Sequence, residues 1–546
     1  MPRLWNPKGQ SPLTLIVLFL VGVATVSSSA ATAAAPARPN VVFILADDLG
    51  WSDTTLNRPN AFYETPNLER LAQRGMRFTQ AYSANPLCSP TRASILTGLY
   101  PARIGITAPA CHLPEEILHK AVAKQASPAQ RSVPAVSVTR LQTNYYTLAK
   151  ALKQAGYVTG HFGKWHLGPE PYSALQQGFD VDVPHWPGPG PAGSYIAPWK
   201  SPKFSLAAKP GEHVEDLMAA QAIQFIRANK DRPFFLNYWA FSVHAPINGK
   251  PELIEKYRAK AASLPPGSPQ RHPIYAAMVQ SLDESVGRLM QALDEMNLTT
   301  NTIIVFLSDN GGVHWTAGKE NNAQDAFRDI PITSNTPLRG GKATTYEGGT
   351  REPCLVIWPG LTKAGSVSDS IIQSTDFFPT FVELLRLSTP TGLKFDGQSF
   401  AAALSGKAFD RGPTFCHFPH NTPASGGLAS TYVRVGDWKL IRFYCLNDDH
   451  TDRLELYNLH DDLSESHNLA AQFPERVQAL NAQISGFLKD TKAVVPVCNP
   501  RYDPQAKTGP AGPKAKAKRK AKPSASTRDL RLQLEADSED DVLGWS

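Results

Sequence analysis

Continuous apolar runs alternate with amphipathic stretches along this chain, and charged residues gather where the apolar runs stop. That alternation constrains the fold more than any other feature. Asn40-Val41-Val42-Phe43-Ile44-Leu45-Ala46 is apolar after its first residue, the pattern of a strand covered on both faces in a parallel sheet. Residues 157–160, 233–239 and 302–307 read as further strands. Helical spacing predicts helices over 66–74, 147–154, 214–229 and 275–296. Strands alternating with helices give a parallel sheet sandwiched between helical layers. The expected fold class is therefore α/β, a large mixed, mostly parallel sheet. After about residue 405 the pattern changes. Residues 432–444 and 454–459 read as strands joined by short turns, followed by a helix near 474–488, which describes a smaller α+β subdomain of antiparallel strands. No internal repeat is evident.

The chain ends do not share this pattern. Arg3 and Lys8 precede an apolar run over 13–26, and Ala-rich sequence continues to Ala37. This reads as a cleaved secretory signal peptide over 1–37, because a membrane anchor needs about 20 apolar residues. The expected divisions are then 38–405 for the catalytic domain, 406–500 for the antiparallel subdomain and 501–546 for a disordered tail. Of the +7 net charge, the segment from Gln505 onward holds nine Lys/Arg against six Asp/Glu. Its Lys514-to-Lys522 stretch has no core-forming residues, so a solvated tail is the expectation and a nucleic-acid partner is not. Of the six cysteines, five remain once Cys88 is set aside for chemistry: Cys111, Cys354, Cys416, Cys445 and Cys498. An odd number leaves at least one free or paired between chains. Cys416 and Cys445, in two expected strands of one segment, are the pair to expect.

The polar residues that follow the strands carry the chemistry. Asp47-Asp48, the 161–166 stretch, His244 and Asp309-Asn310 all fall at or just past strand C-termini, where ligands of open α/β sheets bind. Asp47, Asp48, Asp309 and Asn310 are hard oxygen donors suited to Ca²⁺, and less well to Mg²⁺. Lys164 and His166 fall on one side of an extended segment. Cys88 precedes Ser89-Pro90, a helix N-terminus by its early proline. The free amides and positive dipole end there favour an anion. Arg92, one helical turn on, returns to the same face.

The run Cys88-Ser89-Pro90-Thr91-Arg92-Ala93-Ser94-Ile95-Leu96-Thr97-Gly98 resembles the signature of type I, formylglycine-dependent sulfatases, the arylsulfatase-like branch of the alkaline phosphatase superfamily. Ala46-Asp47-Asp48-Leu49-Gly50, Gly163-Lys164-Trp165-His166-Leu167-Gly168, His244-Ala245-Pro246, Ser308-Asp309-Asn310-Gly311-Gly312 and Leu338-Arg339-Gly340-Gly341-Lys342 extend the likeness over roughly 38–469. The resemblance implies hydrolysis of sulfate monoesters to alcohol and sulfate. Its nucleophile is the hydrated aldehyde, 3-oxoalanine or formylglycine, made from Cys88 by a maturation enzyme. One hydroxyl takes the sulfuryl group as a covalent intermediate and the other, deprotonated, expels sulfate. Asp47, Asp48, Cys88, Asp309 and Asn310 would hold one Ca²⁺. Arg92 would brace the diol, and Lys164 would neutralise a sulfate oxygen. His166 would assist deprotonation, and His244 with Lys342 would serve the leaving oxygen. The implied substrates are sulfated small molecules or carbohydrates, met by an exported protein with no stable membrane span; oligomeric state is not indicated. His185-Trp186-Pro187-Gly188 offers an aromatic ring that could stack on a sugar. Residues 104–145 are unfamiliar and read as an insertion shaping the pocket. A related phosphatase would instead need a Ser or Thr nucleophile and two zinc ions. A catalytically dead polymer-binding relative would be expected to lose some of these positions.

Overall fold

The computed structural model describes residues 38–506 apart from 59–61, 266, 317–326 and 328. The expected signal peptide over 1–37 and the expected tail past 506 lie outside the described residues. Twelve strands organise the chain: β1 (Asn40–Ala46), β2 (Met76–Tyr82), β3 (Val158–Gly163), β4 (Val181–Val183), β5 (Phe234–Trp239), β6 (Thr302–Ser308), β7 (Arg351–Ile357), β8 (Ser366–Gln373), β9 (Thr414–Phe418), β10 (Ser430–Val435), β11 (Trp438–Phe443) and β12 (Arg453–Asn458). The first eight form one sheet in the order β8-β2-β7-β6-β1-β5-β3-β4. Only β7 runs antiparallel to its neighbours. The last four form an antiparallel sheet in sequence order.

The apolar run of β1 explains its central place. Val42 and Ile44 pack into one hydrophobic cluster, together with Met218, Leu282 and Val286 of the helices Val214–Asn229 and Pro273–Glu295. Val41, Phe43 and Leu45 point the opposite way, into a cluster with Ile95, Leu148, Leu152 and Phe377 from the helices of the other face. Because side chains alternate along a strand, such a residue set can be buried only between two layers. β1 is hydrogen-bonded in parallel to β5 on one side and to β6 on the other. The C-termini of β6, β1, β5 and β3 therefore stand side by side.

Several elements were not evident in the sequence. β2 and β8 alternate buried with half-buried or exposed residues near the sheet's edge, so neither has an apolar run. β3 continues three residues past the expected end, pairing Gly163 with Trp239. Its polar His161 is fully buried, bonded to Asn237 and ringed by Trp165, Phe179 and Trp239. The antiparallel sheet is joined to the main body by charge. Lys439 Nζ, on β11, lies 2.9 Å from both Glu347 and Glu465 in a buried cluster.

The expected Cys416–Cys445 pairing is incorrect: the disulfide joins Cys445 to Cys498. Cys416 sits on β9 opposite Tyr432 of β10, whose other neighbour is Ile441 of β11. Cys445 follows the end of β11, so β10 lies between the two cysteines. Two strand spacings, about 9.6 Å, exceed what a disulfide spans. The Cys445–Cys498 bond anchors a C-terminal segment that folds back on the 104–145 insertion. Val497–Cys498 pairs with Ser132–Val133, Asn499 bonds the carbonyls of Ser127 and Gln130, and Arg131 lies over the Tyr502 ring. These contacts continue to Arg501 and Asp503.

Candidate active site

The strand C-termini deliver their polar residues to one place. Asp47 and Asp48 follow β1, Asp309 and Asn310 follow β6, Lys164 and His166 follow β3, and His244 follows β5. Loop backbones are stitched across the edge of the sheet. The amide of Asp47 donates to Ser242, that of Asp309 to Ala46, and that of Lys164 to Trp239. Gly163, with φ +107°, permits this approach, since a Cβ there would meet the Trp239 carbonyl at 1.9 Å. Cys88 opens a ten-residue helix, Cys88–Thr97, that is buried along its whole length. Lys342 arrives from the loop before β7, its amide donating to Gly312.

Asp48 is the hub. Its carboxylate accepts from Lys342 Nζ at 2.7 Å and from Asn310 Nδ2 at 2.8 Å. His244 Nε2 lies 3.8 Å from it and the Cys88 sulfur 4.0 Å. Asp47 accepts from Lys164 Nζ at 2.6 Å. Arg92 grips Asp309 through Nε and Nη2 at 2.9 and 2.7 Å, donates to the Lys164 carbonyl at 2.8 Å and lies 3.7 Å from Asp47. Three carboxylates thus face three cations, with at most 2% exposure for any of the six residues. Asp48 and His166 adopt positive φ, 61° and 52°, a conformation uncommon outside glycine and often retained at functional sites.

Burial sets the protonation states. Burial opposes ionisation of Asp48, yet Lys342, His244 and Lys164 hold its carboxyl well below the usual carboxylate range. Burial and the Asp47 charge raise Asp309 to about 6 despite Arg92. Burial depresses both His244 and His166 well below the ordinary imidazole value, and Lys164 adds to each effect, so both rings are neutral. Burial pushes the Cys88 thiol up to about 12, overriding Lys164 and Lys342. An unmodified Cys88 is therefore a protonated, weakly nucleophilic group at neutral pH.

A family model described as Sulfatase matches residues 39–387. A second, described as N-sulphoglucosamine sulphohydrolase, C-terminal, matches residues 341–493. The chain belongs to the sulfatase family. This sulfatase is 32% identical over 515 residues to the N-acetylgalactosamine-6-sulfatase of Rattus norvegicus, covering 86% of the chain and 89% of that protein. It is 29% identical over 529 residues to arylsulfatase G of the same organism, covering 85% and 91%. Among solved structures, that of Ps i-CgsB superposes with a TM-score of 0.64 at 26% identity, covering 82% of the chain and 92% of that chain. The phosphonate monoester hydrolase of Agrobacterium radiobacter shares the fold at a TM-score of 0.56 and 19% identity, over 84% and 99% of the two chains. The protein is thus a sulfuric ester hydrolase of the type I class suggested by the Cys88 run.

All ten expected site residues of the sulfatase meet at this edge of the sheet, with two differences in placement. Arg92 reaches the carboxylates and the Lys164 carbonyl, because its helix directs the guanidinium toward β6. Lys164 and His166 do not lie along one extended face, since the backbone turns at His166. The sequence reading also missed one residue, His112, and named Trp186 without its role in holding a loop. His112, in the 104–145 insertion, places Nδ1 2.9 Å from His166 Nε2; nothing in its local sequence marks it. Trp186 is half-buried, edge-on to Phe204, with its indole N–H on the Gly190 carbonyl. It holds a loop in which a Cβ at Gly190 would lie 2.7 Å from the Ala245 carbonyl oxygen and 3.6 Å from His244 Nδ1.

Replacing Arg92 tests how tightly the cluster is balanced. Arg92→Leu leaves Asp309 and Asp47 buried without their shared cation, and should destabilise the fold by about 3–5 kcal/mol. Denaturant unfolding against the parent protein checks this, and a loss under about 1 kcal/mol would show that the carboxylates find other compensation.

Proposed function

We propose that this sulfatase hydrolyses sulfated carbohydrates through an oxidised Cys88, assisted by one Ca²⁺, after export from the cell. The observation that carries the reading is the convergence of Lys164, Lys342 and His244 on two carboxylates at the N-terminus of the Cys88 helix. That arrangement joins an anion-binding set to a nucleophile position. As a thiol pushed up to about 12, Cys88 is not activated, so its chemistry has to be supplied by modification. Oxidation by a maturation enzyme supplies a hydrated aldehyde, one hydroxyl of which takes the sulfuryl group while loss of the other's proton releases sulfate.

The donor set fits a hard cation. Asp47, Asp48, Cys88 and His244 each bring a ligand atom within 4.8 Å of the others. The buried Asp47 Oδ1 and Asn310 Oδ1 have no hydrogen-bond partner among the described residues. Asp47, Asp48, Asp309, Asn310 and the Cys88 side chain would hold Ca²⁺, which when bound would draw negative charge from sulfate and nucleophile oxygens.

The remaining steps belong to side chains. Each lysine ammonium has three N–H groups, of which one is directed to its aspartate, so Lys164 and Lys342 can also hold sulfate oxygens. His244 Nδ1–H donates to the Ala245 carbonyl at 2.8 Å, leaving Nε2 as its acid-base nitrogen. A bound sulfate offsets the two lysine charges that depress His244. The ring can then take up a proton and give it to the departing alcohol. His166, neutral and buried, receives the proton of the diol. The names of relatives favour sugars: one is an N-acetylgalactosamine-6-sulfatase, and Ps i-CgsB has also been solved with a neocarrahexaose. Trp186 contributes by holding the loop beside His244 and can present its ring edge to a sugar.

Cys88→Ser separates the two halves of the cycle. Serine keeps one hydroxyl and lacks the second, so transfer to Oγ remains possible and sulfate release does not. With a substrate the parent turns over, the variant should give about one equivalent of alcohol and then stall with one SO₃ added to its intact mass. Multiple turnover near the parent rate would contradict the diol route. Elemental analysis of the purified parent should find about one Ca²⁺ per chain, and two zinc ions would point to phosphatase chemistry instead.

A further inference from the structure

Hydrolysis of a sulfate monoester at neutral pH consumes water and yields an alcohol, a sulfate dianion and one proton. Every turnover therefore leaves a proton among groups that are almost wholly buried. Lys164 and His166 are fully buried, and Lys342 and His244 are 2% and 4% exposed. A contact from this group leads toward the surface. His112, whose side chain is exposed, places Nδ1 2.9 Å from Nε2 of His166, with the ring centroids 5.1 Å apart. The other nitrogen of His166, Nδ1, is buried and has no hydrogen-bond partner among the described residues. One ring nitrogen of His166 thus has no hydrogen-bond partner among the described residues, and the second is joined to the imidazole of an exposed residue.

We propose that His112 is the proton outlet of the active site, a positioning residue that orients His166 and passes to solvent the proton released in each turnover. The proposal rests on the sulfate-ester reading above. In the resting state Nε2–H of His166 donates to His112 Nδ1, which fixes the tautomer that leaves the His166 Nδ1 lone pair free. The diol hydroxyl gives its proton to His166 Nδ1. The Nε2 proton then moves to His112 Nδ1, and His112, an exposed residue, passes a proton on toward solvent. One proton enters the pair, one leaves and no electrons are transferred; both rings end as the opposite tautomers, which revert before the next turnover.

The surroundings favour this direction. The charged and titratable groups that act most strongly on His166 are Lys164, two residues before it, His112 in the insertion, Arg92 on the Cys88 helix and His244 after β5. All of them disfavour a lasting positive charge on His166, so a proton arriving there is driven outward. The pair is also held in place. Arg140 donates to the carbonyls of Cys111, Leu113 and Pro114, bracketing His112. On the other side, the Ser89 hydroxyl donates to the His166 carbonyl at 2.7 Å.

The test compares His112→Ala and His112→Gln with the parent in the full, mature enzyme, using one sulfate ester and measuring kcat, KM, Tm and rescue by free imidazole. The outlet predicts kcat lowered by about 10- to 100-fold in both variants with KM within about twofold. Tm should be unchanged, because the residue is exposed. Imidazole should restore a saturable part of the loss in His112→Ala, and substituted imidazoles should rescue in order of their basicity. A kcat within about twofold of the parent would overturn the proposal. So would a loss confined to KM, which would make His112 a substrate contact, or a loss that imidazole does not restore. A parent enzyme inactive on every sulfate ester would overturn the underlying reading itself, whereas an active parent with an indifferent His112→Ala would remove the outlet alone.

Discussion

Six charged side chains in the dry interior, Asp47, Asp48 and Asp309 against Arg92, Lys164 and Lys342, set the terms for everything around them. Removing an ion from water costs several kcal/mol, and a buried pair recovers that only with close geometry and further hydrogen bonds. The geometry is supplied by the sheet. Because β6, β1, β5 and β3 are parallel neighbours, their C-termini release the three carboxylates, His244 and Lys164 within reach of one another, while the Cys88 helix brings Arg92 and the loop before β7 brings Lys342. Apolar side chains of similar volume would serve stability at least as well, so the cluster is best understood through what it holds in place. It is an ordered set of charges with two oxygens, Asp47 Oδ1 and Asn310 Oδ1, still without hydrogen-bond partners among the described residues.

Histidine protonation depends on the same cluster. Lys164 and burial together keep His166 and His244 neutral, and each ring has one nitrogen already engaged, His244 with a carbonyl and His166 with His112. The engaged nitrogen fixes which one remains for chemistry. The insertion carrying His112 is itself clasped by the C-terminal segment that the Cys445–Cys498 bond secures to the antiparallel sheet. Distant parts of the chain thus bear on the orientation of one catalytic ring.

Much of this was legible in the sequence, for identifiable reasons. β1 was readable to the residue because a strand covered on both faces must be apolar throughout. The site residues were readable because each stands beside a strand end or in the Cys88 run, save Lys342, which only the likeness of the 338–342 stretch to the family marked. β2 and β8 were not, since strands at or next to the sheet's edge with half-exposed faces carry no continuous apolar signal. The end of β3 was obscured by His161, whose burial depends on Asn237 and three aromatic rings from elsewhere in the chain. The disulfide depended on strand order, which places β10 between Cys416 and Cys445. His112 depended on tertiary contact alone: no local pattern tells an exposed loop histidine that it will meet His166.

The claim on which the account turns is that Cys88 acts as an aldehyde hydrate and not as a thiol. The most direct measurement is mass spectrometry of the proteolytic peptide carrying Cys88, taken from enzyme of known turnover rate and treated with a carbonyl-specific hydrazine. The account predicts a peptide lighter by the difference between a thiol and an aldehyde, converted to the hydrazone, in an amount that tracks activity from one preparation to the next. Fully active enzyme in which Cys88 remains an alkylatable thiol throughout would contradict it.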